Sequence, residues 1–202
     1  LRAGAAKVDI TPPAGLDLTG YAGREGPSVD VHDPLFARAL VLSTVEAEVA
    51  IVSLDLIGLD DGSVARIRAR ASELSGVPPE NVLVSCTHTH SGPATMPLRE
   101  LGEVWRPYVE MVERKAADAV CEAKRRLVPA ALSASRGECD VNQNRRHPGD
   151  PNAPVDREVV ALKVVDEAGR ALAVCVNYSC HAVVMGPENR LVSADFPGVT
   201  CS

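Results

Sequence analysis

Aromatic side chains are scarce in this chain of 202 residues: one Trp, three Tyr and two Phe, 3% in all. The core must therefore be built from Ala, Val, Leu and Ile, within a hydrophobic share of 46%. That share suits one domain, or most of one, with a core of its own. No apolar run approaches the roughly 18 residues a membrane-spanning helix needs. A basic surplus is also missing, since the formal net charge is −6. This argues against a nucleic-acid binder, whose affinity rests on a positive face. The one basic cluster, Lys124-Arg125-Arg126, closes a helical pattern, where it complements the helix dipole and faces water. The six cysteines, Cys86, Cys121, Cys139, Cys175, Cys180 and Cys201, include no C-x-x-C pair. Several lie in apolar runs, where Cys behaves as a small hydrophobe, and the spacing argues against a disulfide framework. Internal repeats and low-complexity segments are absent. The sequence opens at Leu1 without a secretory apolar leader, so a native start further upstream is expected and no compartment is assigned.

What is present is an alternation of strand and helix patterns. "AAKVDIT" reads as a strand closed by Pro12-Pro13. Residues 14–33, rich in Gly, Pro and Asp, read as a long loop, and loops of that length are usually functional or mobile. Residues 35–42 and 49–59 read as strands, the second apolar almost throughout, as a strand covered on both faces would be. A helix follows, capped by Asp60 or Asp61, with Val64, Ile67, Ala71 and Leu74 as its inner stripe and Gly76 and Pro78 at its end. The strand "NVLVSC" comes next. Pro107 then opens a long helix whose inner face is Val109, Met111, Val112, Ala116, Val120, Ala123 and Leu127. Residues 130–136, 158–166 and 171–178 read as strands, the last two a hairpin about Glu167-Ala168-Gly169. The order β, β, β, α, β, α, β, β, β predicts an α/β protein: a mixed sheet with helices packed on its faces, ending in "SADFPGVTCS" as an incomplete domain. Ligands in such sheets gather beyond the carboxyl ends of strands.

The stretch "NVLVSCTHTHSGP" puts His88 and His90 at such an end, in a chain with five histidines. In an extended segment they point the same way, and imidazole is the commonest metal ligand among side chains. Thr87, Thr89 and Ser91 are placed to hold the rings by hydrogen bonds. The competing reading is a pair of loop histidines satisfied by carbonyls. "VNYSCHAVVMG" repeats the pattern with His181, which alone reads equally as a core histidine. Cys86 and Cys180 make a Cys/His site conceivable, but strand alternation turns Cys180 away from a site that His181 faces. His32 reads as bridging a turn and His147 as solvated. Arg145 and Arg146 lie in a polar loop, yet an arginine beside a metal can hold a developing oxyanion. Asp55 and Asp195 adjoin strands and could orient a histidine or bind metal, salt bridging or capping being the simpler account.

Six segments in order resemble the N-terminal part of the neutral/alkaline non-lysosomal ceramidase family. They are "GAAKVDITPP", "HDPLFARALVL", "VSLDLIGL", "VSCTHTHSGP", "VNQNRR" and "CHAVVMGPENRLVSADFPG". The resemblance spans nearly the whole chain, so residues 1–202 are expected to be the N-terminal part of a single ceramidase-like catalytic domain. It implies a zinc-dependent amidohydrolase that cuts the N-acyl bond of ceramide into fatty acid and sphingoid base. It further implies Zn2+ held by His88 and His181, with His90 lining the site and Arg145 approaching the reacting carbonyl. The family's remaining ligands, a Glu and a Tyr, and its "GDVSPN"-like segment lie downstream and do not occur here. The chain also departs from the family at Ala94-Thr95, Ala182-Val183 and Ser193-Ala194-Asp195. These departures leave room for another small amide or ester as substrate, or for a degenerate binding domain.

Overall fold

The computed structural model describes residues 1–99 and 101–202. Its elements are β1 (Arg2–Asp9), β2 (Asp30–Val31), β3 (Phe36–Ser43), β4 (Glu48–Leu54), α1 (Asp61–Ser75), β5 (Val82–Cys86) and α2 (Arg106–Arg125). After them come β6 (Val128–Glu138), β7 (Glu158–Asp166), β8 (Ala171–Tyr178), β9 (Leu191–Val192) and α3 (Asp195–Thr200). Seven strands form one mixed sheet in the order β5-β4-β3-β1-β6-β7-β8. Within this sheet β4 and β5 pair in parallel, joined through α1, while the other neighbours are antiparallel. The mixed α/β class expected from the element order is what forms.

Strand alternation divides the sheet into two faces. Ala6, Ile10, Ala37, Ala39, Val41, Ala50, Val52, Leu54 and Val82 point to one face, and the main core forms there against α1 and α2. Low aromatic content is compensated by close approach. A Cβ added to Gly4 would lie 2.1 Å from the carbonyl oxygen of Ala123, so α2 rests directly on the backbone of β1. The other face carries Ala3, Leu40 and Val164, with Ala5, Leu42, Leu172 and Ala173 against them. β6 joins β1 only at Arg2 and Ala3 before leaving it. The β7–β8 hairpin is therefore laid over the second face, which is how the chain after β8 reaches the far end of β5.

Some local readings change. α1 is capped at Asp60, whose carboxylate accepts the Ser63 N–H at 2.6 Å. Its buried stripe is Ser63, Ile67 and Ala71, whereas Leu74 is 41% exposed. The helix packs mainly on α2 at the sheet edge, which leaves only a narrow stripe covered. The strand read as 49–59 ends at Leu54. There Asp55 is fully buried and its carboxylate accepts the Phe36 N–H at 2.9 Å and Arg38 at 2.6 Å. The chain bends, and the next carbonyls turn toward the loop after β5. Lys124 turns back to pair with Glu48, while Arg125 and Arg126 face water. The loop of residues 14–33 contains β2, which pairs in parallel with β9. Asp33 adds bonds to the Ala194 N–H and the Ser193 hydroxyl, so this loop is laid across the segment before α3.

Candidate metal centre

Three histidines meet beyond the ends of β5 and β8. Their ring centroids lie 5.1 Å apart for His88 and His90, 4.9 Å for His88 and His181, and 4.7 Å for His90 and His181. One nitrogen from each ring can be chosen so that all three lie within 4.8 Å of one another. Nε2 of His90 and Nε2 of His181 are 2.8 Å apart.

Backbone bonds build this meeting. Thr87 and His88 donate their N–H groups to the carbonyls of Leu54 and Leu56, each at 2.9 Å. The bend after β4 thus seizes the chain leaving β5. His90 N–H donates to the Ala182 carbonyl at 3.2 Å, tying the two histidine-bearing segments together. Ser193 N–H donates to the Ser91 carbonyl at 2.9 Å, and the Thr89 hydroxyl donates to the Ser193 carbonyl at 2.8 Å. Two residues here take left-handed backbone, His88 at φ 63° and Asp195 at φ 57°. The Cβ of an L-residue crowds a carbonyl oxygen in this conformation, less severely for Asp and His than for most, and such strain collects at functional sites.

This geometry corrects two expectations. His88 and His90 do not converge through strand alternation, because β5 ends at Cys86 and His88 is left-handed. The nearby hydroxyls do not hold the rings either. Thr89 bonds to backbone, Ser91 accepts from Asn189, and the buried Thr87 hydroxyl has no partner. A carbonyl does the work: His88 Nδ1 donates to the Ile57 oxygen at 2.7 Å. That bond fixes the tautomer and leaves Nε2 with its lone pair free, as a metal ligand requires.

The electrostatics favour neutral rings. Burial pushes His90 down to about 4, helped by the neighbouring His181 and His88, against a weak contact to the Gly20 backbone. His181 is also held below the usual histidine value, by burial first and then by the positive charge of Arg145 and by His88. Arg145 is exposed, yet its charge reaches His90, His181 and Tyr21. Neutral imidazoles crowded around one point, one with a fixed tautomer, fit a metal of the borderline type that takes nitrogen donors.

The other candidates fall outside the cluster. His32 pairs with Asp33 at 2.7 Å. His147 is exposed in a turn, and Arg146 N–H bonds to Asn144. Asp55 is the partner of Arg38, and Asp195 accepts the N–H groups of Met185 at 3.0 Å and Phe196 at 2.7 Å, so neither touches a histidine ring. All six cysteines are free thiols. Burial drives the Cys86 thiol up to about 12, with Asp55 adding to it, which makes it a poor thiolate ligand. Absent from the sequence reading was Tyr21, whose ring stands edge-on to His90 with centroids 5.0 Å apart. Its signal was its rarity, as one of three tyrosines, inside a loop already marked by its length.

Known proteins resemble the chain over nearly its whole length. The chain is 29% identical to the neutral ceramidase of Drosophila pseudoobscura pseudoobscura over 98% of its own length and 31% of the relative's. It is 28% identical to the neutral ceramidase of Pseudomonas aeruginosa, over 98% of this chain and 32% of that one. The fold is similar to a solved structure described as "Ceramidase complexed with C2". The TM-score is 0.85 at 25% identity, over 96% of this chain and 33% of that one. A crystal structure of neutral ceramidase from Pseudomonas aeruginosa gives a TM-score of 0.84 at 25% identity, over 96% of this chain and 34% of that one. The chain thus spans about a third of the length of these relatives. The model of the family described as "Neutral/alkaline non-lysosomal ceramidase, N-terminal" matches residues 1–202, and the chain belongs to that family.

Proposed function

We propose that this chain is the N-terminal part of a zinc-dependent amidohydrolase that cleaves the N-acyl amide bond of ceramide or a ceramide-like lipid. The observation that carries the reading is the convergence of three ring nitrogens within 4.8 Å of one another. The names of the relatives, neutral ceramidases, supply the substrate class. His88 and His181 are the residues that would hold Zn2+. Zinc, when bound, supplies a Lewis acid and a water acidified toward neutrality. Two imidazoles make an incomplete site, so further ligands are assigned to polypeptide outside residues 1–202. That agrees with the chain's span of about a third of its relatives.

The protein's own groups have separable tasks. His88 is held by Ile57 and offers Nε2. His90, kept neutral near pH 7 by burial, can take up a proton at Nε2 and release it to the leaving amine. Arg145 presents positive charge to the same point and stabilises the oxyanion that forms on the scissile carbonyl. Asp195 holds the loop after His181 through the Met185 N–H.

The test is zinc stoichiometry after dialysis of the full-length protein, beside release of fatty acid from a short-chain N-acyl sphingosine. His88→Ala is expected to lose both zinc and hydrolysis. His90→Ala is expected to keep most of its zinc and lose hydrolysis. Zinc retained by His88→Ala overturns the ligand assignment. Zinc bound by the wild type without N-acyl cleavage leaves the metal standing and discards ceramide in favour of another amide or an ester.

A further inference from the structure

His88 and His90 are held in different ways. His88 has a hydrogen bond on the nitrogen opposite the site. Nδ1 of His90 is buried and has no well-formed hydrogen bond. Apart from the 2.8 Å contact of its Nε2 with that of His181, the ring is oriented by packing, and two neighbours provide it. A Cβ on Gly20 would lie 2.5 Å from both Cγ and Nδ1 of His90, so bare backbone lies flat on one side of the ring. Gly20 also has φ +110°, a conformation that side chains rarely adopt. The second neighbour is the Tyr21 ring, at 5.0 Å and 66° to the imidazole.

Tyr21 is itself fixed from the other histidine-bearing segment. Its hydroxyl donates to the Val183 carbonyl at 3.1 Å, two residues beyond His181. Arg24 lies over its ring, 5.0 Å from the centroid. The same guanidinium donates to the Thr19 carbonyl at 3.3 Å and the Gly186 carbonyl at 3.5 Å. Arg24 has no carboxylate partner among the described residues, so its bonds go to backbone and aromatic face. The loop of residues 14–33 is thus strapped to residues 183–186 with the His90 ring beneath the strap.

We infer that Tyr21 is a positioning residue for His90: its ring, packed with the Gly20 backbone, sets the direction of the His90 imidazole. This rests on the reading of His90 as a residue lining the proposed metal centre. A ring held by a hydrogen bond resists rotation by directional energy. A ring held by packing resists it only while both walls are present. Tyr21→Ala removes one wall and leaves Gly20 and the backbone of the loop in place. Tyr21→Phe keeps the wall and removes only the bond to Val183.

The experiment reads the ring directly and the reaction beside it. NMR relaxation of the His90 imidazole in metal-free full-length protein is expected to report an ordered ring in wild type and Tyr21→Phe, and a mobile one in Tyr21→Ala. With zinc, Tyr21→Ala is expected to lose about 10- to 100-fold in kcat with KM little changed and zinc content kept. Tyr21→Phe should recover most of that loss. A purely structural role would lower the melting temperature and leave the imidazole ordered in the molecules that remain folded. An equally ordered His90 in Tyr21→Ala overturns the inference, as does a Phe variant as mobile as the Ala one. Absence of N-acyl cleavage in wild type would count against the proposed activity, and the relaxation data would still decide the role of Tyr21.

Discussion

The two histidines with depressed basicity tie the site to the stability of the protein. An unfolded histidine takes its proton near pH 6.5, whereas His90 in the folded chain takes it only near 4, because burial and its neighbours oppose the charge. His181 is displaced in the same direction. Between those values the unfolded state binds protons that the folded state does not, so stability must fall as pH falls through that window. Above about pH 7 both states are neutral there and the effect vanishes. For metal-free protein, the urea midpoint is expected to drop between pH 7 and pH 5, above the range where most carboxylates titrate. His90→Asn should show a smaller drop. Equal slopes for wild type and variant would mean that the ring is hydrated and free to take its proton. The same asymmetry serves a metal, since neutral rings are the ones that bind it.

At the scale of elements, the fold depends on how closely α2 lies on β1. Gly4 allows that approach, with the Ala123 carbonyl where a side chain would otherwise begin. The contact is backbone on both sides, so no rotamer change can relieve it. Gly4→Ala is expected to destabilise the fold by roughly 2–3 kcal/mol, as overpacking does when helix and strand must separate. Denaturant unfolding measures this; a loss below about 0.5 kcal/mol, the range of neutral surface changes, would mean that α2 shifts freely. The bend at Asp55 is the second such device. An apolar run of strand type stops because a buried carboxylate claims Phe36 and Arg38. The carbonyls of Leu54, Leu56 and Ile57 are thereby left to hold the histidine loop.

For the whole molecule, the proposed centre draws on strands at opposite ends of the sheet order, β5 and β8. Folding of the β7–β8 hairpin over the second face makes them neighbours. Its outward side leaves Val174 and Val176 48–54% exposed. The proposal that further ligands come from outside residues 1–202 has a direct consequence. Residues 1–202 alone should lose zinc on dialysis, while the full-length protein keeps it in stoichiometric amount. Stoichiometric zinc in the short chain would instead assign a complete centre to these residues.

Much was legible in the sequence because it is written in short-range patterns. Apolar alternation, the Asp60 cap and the Gly76 stop set the order of strands and helices, since backbone propensity acts over a few residues. The pairing of a strand with a histidine at its end, twice over, marked His88, His90 and His181, and the six ordered segments carried the family. Tertiary structure alone decided what the rings touch. β2 and β9 are two residues each, too short for any periodicity to reveal. The left-handed turn at His88, the grip of Ile57 on its Nδ1 and the wall that Gly20 and Tyr21 raise beside His90 join residues far apart in the chain. Those contacts arise from the bend at Asp55 and the fold-over of the hairpin, and both are fixed by burial in three dimensions rather than by any local run of residues.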